Sequence, residues 1–490
     1  MAQQYRSILK ATSIFGSTQI LQILVGLVRS KFVALLIGAT GMGLSSMYMS
    51  SLTMIITIFG LGISSSVVRD LSKAFDDNQM ERFSLIIKVF RRILCVLSIA
   101  GMLCVIVMSH WLSEWAFSST DKTFDFCGLS LIVYFTLLSQ GNTALLVSMR
   151  RIKATAICSL VGSIVTLATS IPFFYFWRLE GIVPGLVVST IANYVITYLY
   201  VRKIKLPQCP ITWDDIKLYG RSMIVLGAAM VLASLFGNVT AYLINLSITR
   251  LGGVADLGFF NAGMSMTMQS VMLVFSAMSA DYYPRLVASL SEPHKMNDTI
   301  NQQSEILLYL SVPILAMMMV ASPLIITMLL SPEFQVIQNF IRILCLGMLL
   351  KAASYALGYV AFAKGDKTVY LFLEGIYGNV TNLLLSVGMY SLWGLTGLAY
   401  SFVVNYALYF ILISLVNRHR YHYQRSKTLR KTLAGSMLSL TVLLAFTYLL
   451  HGAAYYMVSL ALSLILTLYC LKKLNQRVEL FSYVRAKIRK

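Results

Sequence analysis

The chain has 490 residues, is 58% hydrophobic with a mean hydropathy of +0.75, and carries a formal net charge of +21. That composition excludes an ordinary soluble globule. The charge arises from 40 Lys and Arg against 19 Asp and Glu, and the placement of these residues decides what the basic surplus faces.

In chain order, fourteen apolar runs are predicted as membrane spans: 8–37, 43–67, 90–112, 126–149, 152–176, 181–201, 222–249, 257–280, 304–330, 336–363, 369–389, 394–416, 432–450 and 454–471. Each is long enough to cross a hydrocarbon core of about 30 Å. None shows strand alternation, so they read as helices and not as barrel strands. The first run is too long for a cleavable signal peptide and is expected to remain as a membrane helix.

The basic residues sort by gap. Alternate gaps, beginning with the N-terminus and ending with the tail after residue 471, hold thirty-three Lys and Arg, and the opposite gaps hold three, Lys122, Arg178 and Arg250. This asymmetry places the rich side, with both termini, in the cytoplasm. The net charge then describes a basic skirt beside anionic lipid heads. The basic residues are spread over loops and no nucleic-acid module is present, so nucleic acid is not an expected partner. The seven cysteines show no paired spacing and the five histidines are scattered, which gives no metal site and no cofactor.

A shift of 215 residues lays Arg6-Ser7 on Arg221-Ser222, Leu36 on Leu251, Gly38 on Gly253, Gly43 on Gly258 and Met49-Ser50 on Met264-Ser265. Six spans separate the copies, so the repeat is parallel, as in two bundles related by an axis along the membrane normal. The expected fold is an all-α polytopic membrane protein of about fourteen helices, with two six-helix lobes and two further C-terminal helices. The lobes are placed at 1–205 and 206–417, and the last two helices with the basic tail at 418–490.

Four cations remain inside the spans: Arg29, Lys31, Arg342 and Lys351. Charge in that position is costly and faces a cavity or a partner. Arg29 lies nine residues before Gly38, about 13 Å along a helix, so escape to the surface is strained. Lys31 is closer to the outside and lies about 200° from Arg29, on a different face. Arg342 is within snorkelling range, and it is expected to be structural. Lys351 sits mid-span, about 18–22 Å from either end. Glu374, the one deep carboxylate, is on the neighbouring span at comparable depth, and either an ion pair with Lys351 or a ligand or coupling-ion site is compatible with that placement. Pro172, Pro184, Pro313 and Pro323 interrupt spans and are expected to kink them. Trp111, Trp115, Trp177 and Trp393 fall at outer ends, as an interfacial belt requires.

No enzyme signature is found. Lys364-Gly365-Asp366-Lys367-Thr368 has the wrong order for a phosphate-binding loop. A membrane glycosyltransferase or polysaccharide polymerase would need acid/base groups, usually on a sizeable outer loop, and the longest outer gap is about thirteen residues, 113–125. A cation-coupled multidrug exporter would need several intramembrane carboxylates, and Glu374 stands alone.

Several stretches carry a family resemblance: Gly26-Leu27-Val28-Arg29-Ser30-Lys31-Phe32-Val33-Ala34 with Gly38-Ala39-Thr40-Gly41-Met42-Gly43, Asp281-Tyr282-Tyr283-Pro284-Arg285-Leu286, Tyr355-Ala356-Leu357-Gly358-Tyr359 with Ala363-Lys364-Gly365-Asp366, and Leu392-Trp393-Gly394-Leu395-Thr396-Gly397. The chain resembles the Wzx-type O-antigen and polysaccharide flippases of the multidrug/oligosaccharidyl-lipid/polysaccharide exporter superfamily. The resemblance implies a two-lobed transporter of the bacterial inner membrane. Its substrate would be a polyprenyl-pyrophosphate-linked oligosaccharide moved from the cytoplasmic to the periplasmic leaflet, with polysaccharide polymerase machinery as a candidate partner. It also implies that Arg29, with Lys31 and Lys351 as further cavity cations, attracts the pyrophosphate. Where related flippases carry a second arginine one or two turns earlier, this chain has Ile23 and Leu24.

Overall fold

The computed structural model describes residues 2–77, 79–204, 210, 212–450 and 452–478; the side chains of 2–17, 229, 230, 233, 273, 277, 279–281, 453, 477 and 478 are outside that description. Cys209, His451 and the basic tail from residue 479 also lie outside the described residues. The described residues are helical and contain no strand. In a bilayer a helix satisfies its own backbone hydrogen bonds, which an open sheet edge cannot do. Ten helices among the described residues are long and apolar enough to cross a membrane.

The chain divides into two compact units, Met1–Gly258 and Phe259–Lys490. The first begins with α1 (Ala2–Gly60), whose 59 residues exceed the length of a single crossing. It bends at Gly38, with φ 63° and ψ −167°. The predicted second span, 43–67, is broken at consecutive left-handed residues Leu61 and Gly62, and α2 (Ile63–Asp76) starts there. Then come α3 (Met80–Phe117), α4 (Thr123–Ser148), α5 (Ile152–Trp177), α6 (Ile182–Arg202) and α7 (Trp213–Gly252). Helix α1 packs on α3, α4, α5 and α7, while α4 lies against α3 and α6.

Gly253 turns α7 into α8 (Val254–Ser289) with φ 94° and ψ 172°. Gly38 and Gly253, the two positions 215 residues apart, thus share one backbone conformation that side chains with a Cβ rarely adopt. Their neighbours in the repeat also meet. A Cβ on Gly43 would lie 1.8 Å from the Val254 carbonyl oxygen, and one on Gly258 would lie 1.9 Å from that of Ala39. Close backbone approach through small residues holds membrane helices together where lipid removes the hydrophobic drive.

The second unit continues through α9 (Pro293–Leu329), a 3₁₀ turn (Pro332–Ile337) and α10 (Gln338–Ala363). A four-residue α11 (Lys367–Tyr370) runs directly into a π-helical turn, Leu371–Tyr377, and then α12 (Gly378–Tyr421). Helix α12 bends at Trp393 and Gly394, the latter with φ 57°. Finally α13 (Lys427–Leu449) and α14 (Gly452–Val478) pack on α9. The loop before α11 is clamped by Asp366, which accepts from Arg420 Nε at 2.6 Å and from the Tyr421 hydroxyl at 2.9 Å. Burial raises the pKa of the Asp366 carboxyl, but the Tyr421 hydroxyl, the Val369 amide and Arg420 outweigh it and bring it below the ordinary value.

The proline expectation needs one correction. Pro184 does not interrupt a span: it occupies the first turn of α6, where its missing N–H has no intrahelical partner to lose. Pro172, Pro313 and Pro323 do lie inside α5 and α9. The four tryptophans at predicted outer ends are 48–56% exposed, as a belt at the lipid interface demands.

Replacing Gly43 or Gly258 by Val should prevent the two turns from closing, with a cost above the roughly 1–3 kcal/mol of ordinary overpacking because backbone oxygens stand in the way. Gly26→Ala, which meets nothing within 4 Å, should leave the unfolding midpoint of the purified protein nearly unchanged.

Candidate functional site

Within the first unit, α2, α4 and α6 enclose a cavity of about 660 Å³. Its polar lining is uncharged, with Ser64, Ser65, Thr136, Ser139, Gln140 and Asn193 among its residues. Helical spacing creates it: Thr136, Ser139, Gln140 and Thr143 return every three or four residues on α4, as do Thr190, Asn193 and Thr197 on α6. A supporting layer fixes the wall. Asn193 Nδ2 donates to Thr166 Oγ1 at 2.8 Å, and Asn142 Nδ2 donates to Thr197 Oγ1 at 3.3 Å.

Sequence reasoning missed this cavity. Its signal was the periodic Ser, Thr, Gln and Asn on α4 and α6. Hydroxyls in membrane helices commonly bond their own backbone, as Thr143 does to the Ser139 carbonyl at 3.0 Å and Thr190 to that of Leu186 at 2.8 Å. A hydroxyl that lines a cavity therefore looks the same in the sequence as one that merely satisfies itself.

Arg29 and Lys31 stand on α1 before the Gly38 bend, both half-buried. Leu24, Val28 and Leu35 form an exposed apolar stripe on that segment. Arg29 is turned about 100° from Val28, and Lys31 about 60° in the other sense, so the two cations do not share a face. Arg29 Nε is buried with no hydrogen-bond partner among the described residues. An orphaned donor on a charged group is expensive to keep in that state.

Arg342 is the opposite case. It is 6% exposed, donates to the Tyr455 hydroxyl at 3.1 Å and to the Met319 carbonyl at 3.4 Å, and lies 5.2 Å from the centre of the Tyr455 ring. With its Gln338 amide turned to accept, a further contact of 2.6 Å forms. Hydrogen bonds and a ring face from the same unit hold this guanidinium, in agreement with its structural reading.

Lys351 and Glu374 do not pair directly, which removes the ion-pair branch of the sequence expectation. The Lys351 ammonium approaches Met268 Sδ at 3.6 Å and the Tyr406 ring at 5.4 Å. Glu374 lies in the π-helical turn and accepts a short hydrogen bond from the Tyr409 hydroxyl. Tyr406 and Tyr409, with ring centres 6.4 Å apart, stand between the two charges. The π-helical turn changes the register of the side chains after α11, a shift that hydropathy does not encode.

Lys351 heads a file of aromatic rings. Lys351, Tyr355 and Tyr359 recur every four residues on α10. Phe275 stacks on Tyr355 at 4.6 Å, and Tyr359 touches both Tyr282 and Tyr283. The Tyr282 hydroxyl donates to the Ala356 carbonyl at 2.9 Å. Two of the stretches singled out in the sequence, 281–286 and 355–359, are therefore one contact in space. Turns come from the remaining segments: Gly38 has φ 63°, Gly365 φ 68° and Gly394 φ 57°. Among the described residues no three His, Cys, Asp or Glu come together as a metal site.

These features place the chain in a known class. The fold matches that of a lipid II flippase, MurJ, in its inward closed conformation, with a TM-score of 0.70 and 12% identity over 96% of this chain and 99% of that one. It also matches an inward-facing multidrug resistance MATE family transporter of the MOP superfamily, at TM-score 0.65 and 13% identity over 84% and 96% of the two chains. A third match is the MATE multidrug transporter DinF-BH in complex with R6G, at TM-score 0.58 and 18% identity over 85% and 95%. No curated protein sequence matches the chain. The model of the polysaccharide biosynthesis protein family matches residues 8–290, and the chain belongs to that family.

Arg342→Ala should destabilise the purified protein by about 2 kcal/mol, since it strands the buried Tyr455 hydroxyl, whereas the Met319 carbonyl keeps its bond from Ser322 Oγ at 3.0 Å. In a double-mutant cycle with Tyr455→Phe the losses should be non-additive, as expected for one shared contact. Additive shifts of the unfolding midpoint would show that Arg342 is held by something else.

Proposed function

We propose that this chain is a flippase that moves a polyprenyl-pyrophosphate-linked oligosaccharide from the cytoplasmic to the periplasmic leaflet of a bacterial inner membrane by alternating access. Family membership points to polysaccharide biosynthesis, and the fold likeness to MurJ and MATE transporters points to transport and not to an enzyme. The observation that carries the reading is Arg29, an intramembrane cation whose Nε lacks a partner among the described residues. A pyrophosphate would supply charge-assisted acceptors for such a guanidinium. Lys31 and Lys351 are assigned as further cations along the route, with Glu374 as a coupling or tuning carboxylate. The hydroxyl- and amide-lined cavity suits saccharide hydroxyls, which both donate and accept. The lobes of this machine are drawn at 1–205 and 206–417.

A cation-coupled multidrug exporter is favoured by the likeness to MATE transporters. It would need carboxylates in its spans that are open to cationic drugs, and Glu374 is engaged by Tyr409 while the buried Glu305 on α9 is engaged by Ser426.

In cells that lack this protein, Arg29→Ala should restore little surface polysaccharide, with transport lowered about 30-fold for the loss of about 2 kcal/mol of charged hydrogen bonding. Arg29→Lys, which keeps charge without the fork, should restore part of it. Protein levels should stay near normal. Wild-type surface polysaccharide with Arg29→Ala would remove the cation from the mechanism, and drug resistance without any glycan phenotype would favour the exporter.

The topology has its own test. In single-cysteine variants of intact cells, an impermeant thiol reagent should label Asp121→Cys but not Cys209. Labelling of Cys209 from outside would reverse the orientation.

A further inference from the structure

Helix α12 ends at Tyr421, and His422, with φ 54°, turns the chain into a short segment that leads to Ser426, the N-cap of α13. Between the last turns of α12 and the start of α13 lies a cavity of about 740 Å³ whose lining includes Arg418, Arg425, Arg430 and His422. Arg425 is positioned from within the unit. Its guanidinium lies 4.6 Å from the Phe410 ring centre and donates to Ser414 Oγ at 2.7 Å. None of the three arginines forms an ion pair with a carboxylate among the described residues. Ser426 Oγ, by contrast, reaches Glu305 at 3.3 Å. The three arginines therefore bring positive charge to the cavity with no direct carboxylate partner among the described residues.

One face of α12 joins this charge to an apolar surface. Leu408, Ile411, Leu415, Arg418 and His422 follow one another at spacings of three and four residues, so they form a single stripe. Leu408, Ile411 and Leu415 are 41%, 56% and 48% exposed. The stripe changes from aliphatic to basic at Arg418, within one helical turn of the end of the span. That order, acyl surface first and cationic pocket next, matches the order of groups in a membrane phospholipid. Basic pockets at membrane helix ends on the cytoplasmic side recognise anionic headgroups.

We infer that the pocket at the α12–α13 junction is a binding site for an anionic glycerophospholipid, with its phosphate held by Arg418, Arg425 and Arg430 and an acyl chain along Leu408, Ile411 and Leu415. Phosphate is the chemistry recognised, and a free phosphate could meet the arginines without the aliphatic stripe. The cavity and the stripe together favour the lipid, which places about one bound lipid beside the junction between the last α12 turn and α13.

The test uses the purified full-length protein in nanodiscs of phosphatidylcholine, with phosphatidylglycerol added stepwise. Lipid retained after detergent exchange is counted by native mass spectrometry, and the unfolding midpoint is followed in parallel. Phosphatidylglycerol should be retained in preference to phosphatidylcholine and raise the midpoint. Arg418→Ala, Arg425→Ala and Arg430→Ala should each weaken retention about fivefold. Inorganic phosphate alone should give no comparable shift. Equal retention of the two lipids by the wild-type protein would overturn the site, whatever the variants do. Undiminished phosphatidylglycerol retention in all three variants would overturn the assignment to the arginines, and a full shift with inorganic phosphate would overturn the lipid as its occupant.

Discussion

A bilayer offers no hydrogen-bonding partner to a peptide group, and every feature of this chain is arranged around that lack. Long helices satisfy the backbone internally, so chain reversals become the points where geometry is special. At Gly38, Gly253 and Gly394 a single residue with positive φ redirects a helix with almost no intervening loop. Where two of those reversals meet, Gly43 and Gly258 let backbone approach backbone, at distances no Cβ would tolerate. Lipid weakens the hydrophobic drive between helices, and close packing of this kind replaces it.

The same medium sorts the charged groups. Arg342 is surrounded by Tyr455, Met319 and Gln338, and its cost is met inside the fold. Lys351 has the softer company of a sulfur and a ring face. Arg29 retains a buried nitrogen with no hydrogen-bond partner among the described residues. These three degrees of satisfaction set Arg342, fully engaged within its own unit, apart from Arg29, the cation proposed above to meet an outside anion. The uncharged polar cavity of the first unit offers hydrogen bonds without imposing a sign of charge on what enters.

The all-helical fold and the family resemblance were legible because both are written in one dimension. Hydropathy marks the spans, and the matched glycines at 38 and 253, and at 43 and 258, mark turns that share one geometry in space. The tyrosines of 281–286 and 355–359 were legible as motifs, but their contact through Tyr282 and Ala356 required the fold. Three features were hidden. The break at Leu61 and Gly62 falls inside an unbroken apolar run, where hydropathy has no voice. The π-helical turn around Glu374 rotated a carboxylate that depth alone had placed beside Lys351. The hydroxyls of α4 and α6 could equally have bonded their own helices, and neighbouring elements alone decide that they enclose a cavity.

The central claim is that an unsatisfied intramembrane cation serves an anionic lipid-linked glycan. Its most direct test is leaflet-resolved detection of a polyprenyl-pyrophosphate oligosaccharide in vesicles that contain the purified protein, read by the access of an impermeant glycan-modifying reagent. The account predicts that the protein makes the glycan of the inner leaflet reachable, and that vesicles carrying the Arg29→Ala protein do so far more slowly. Equal access in vesicles with and without the protein would contradict it.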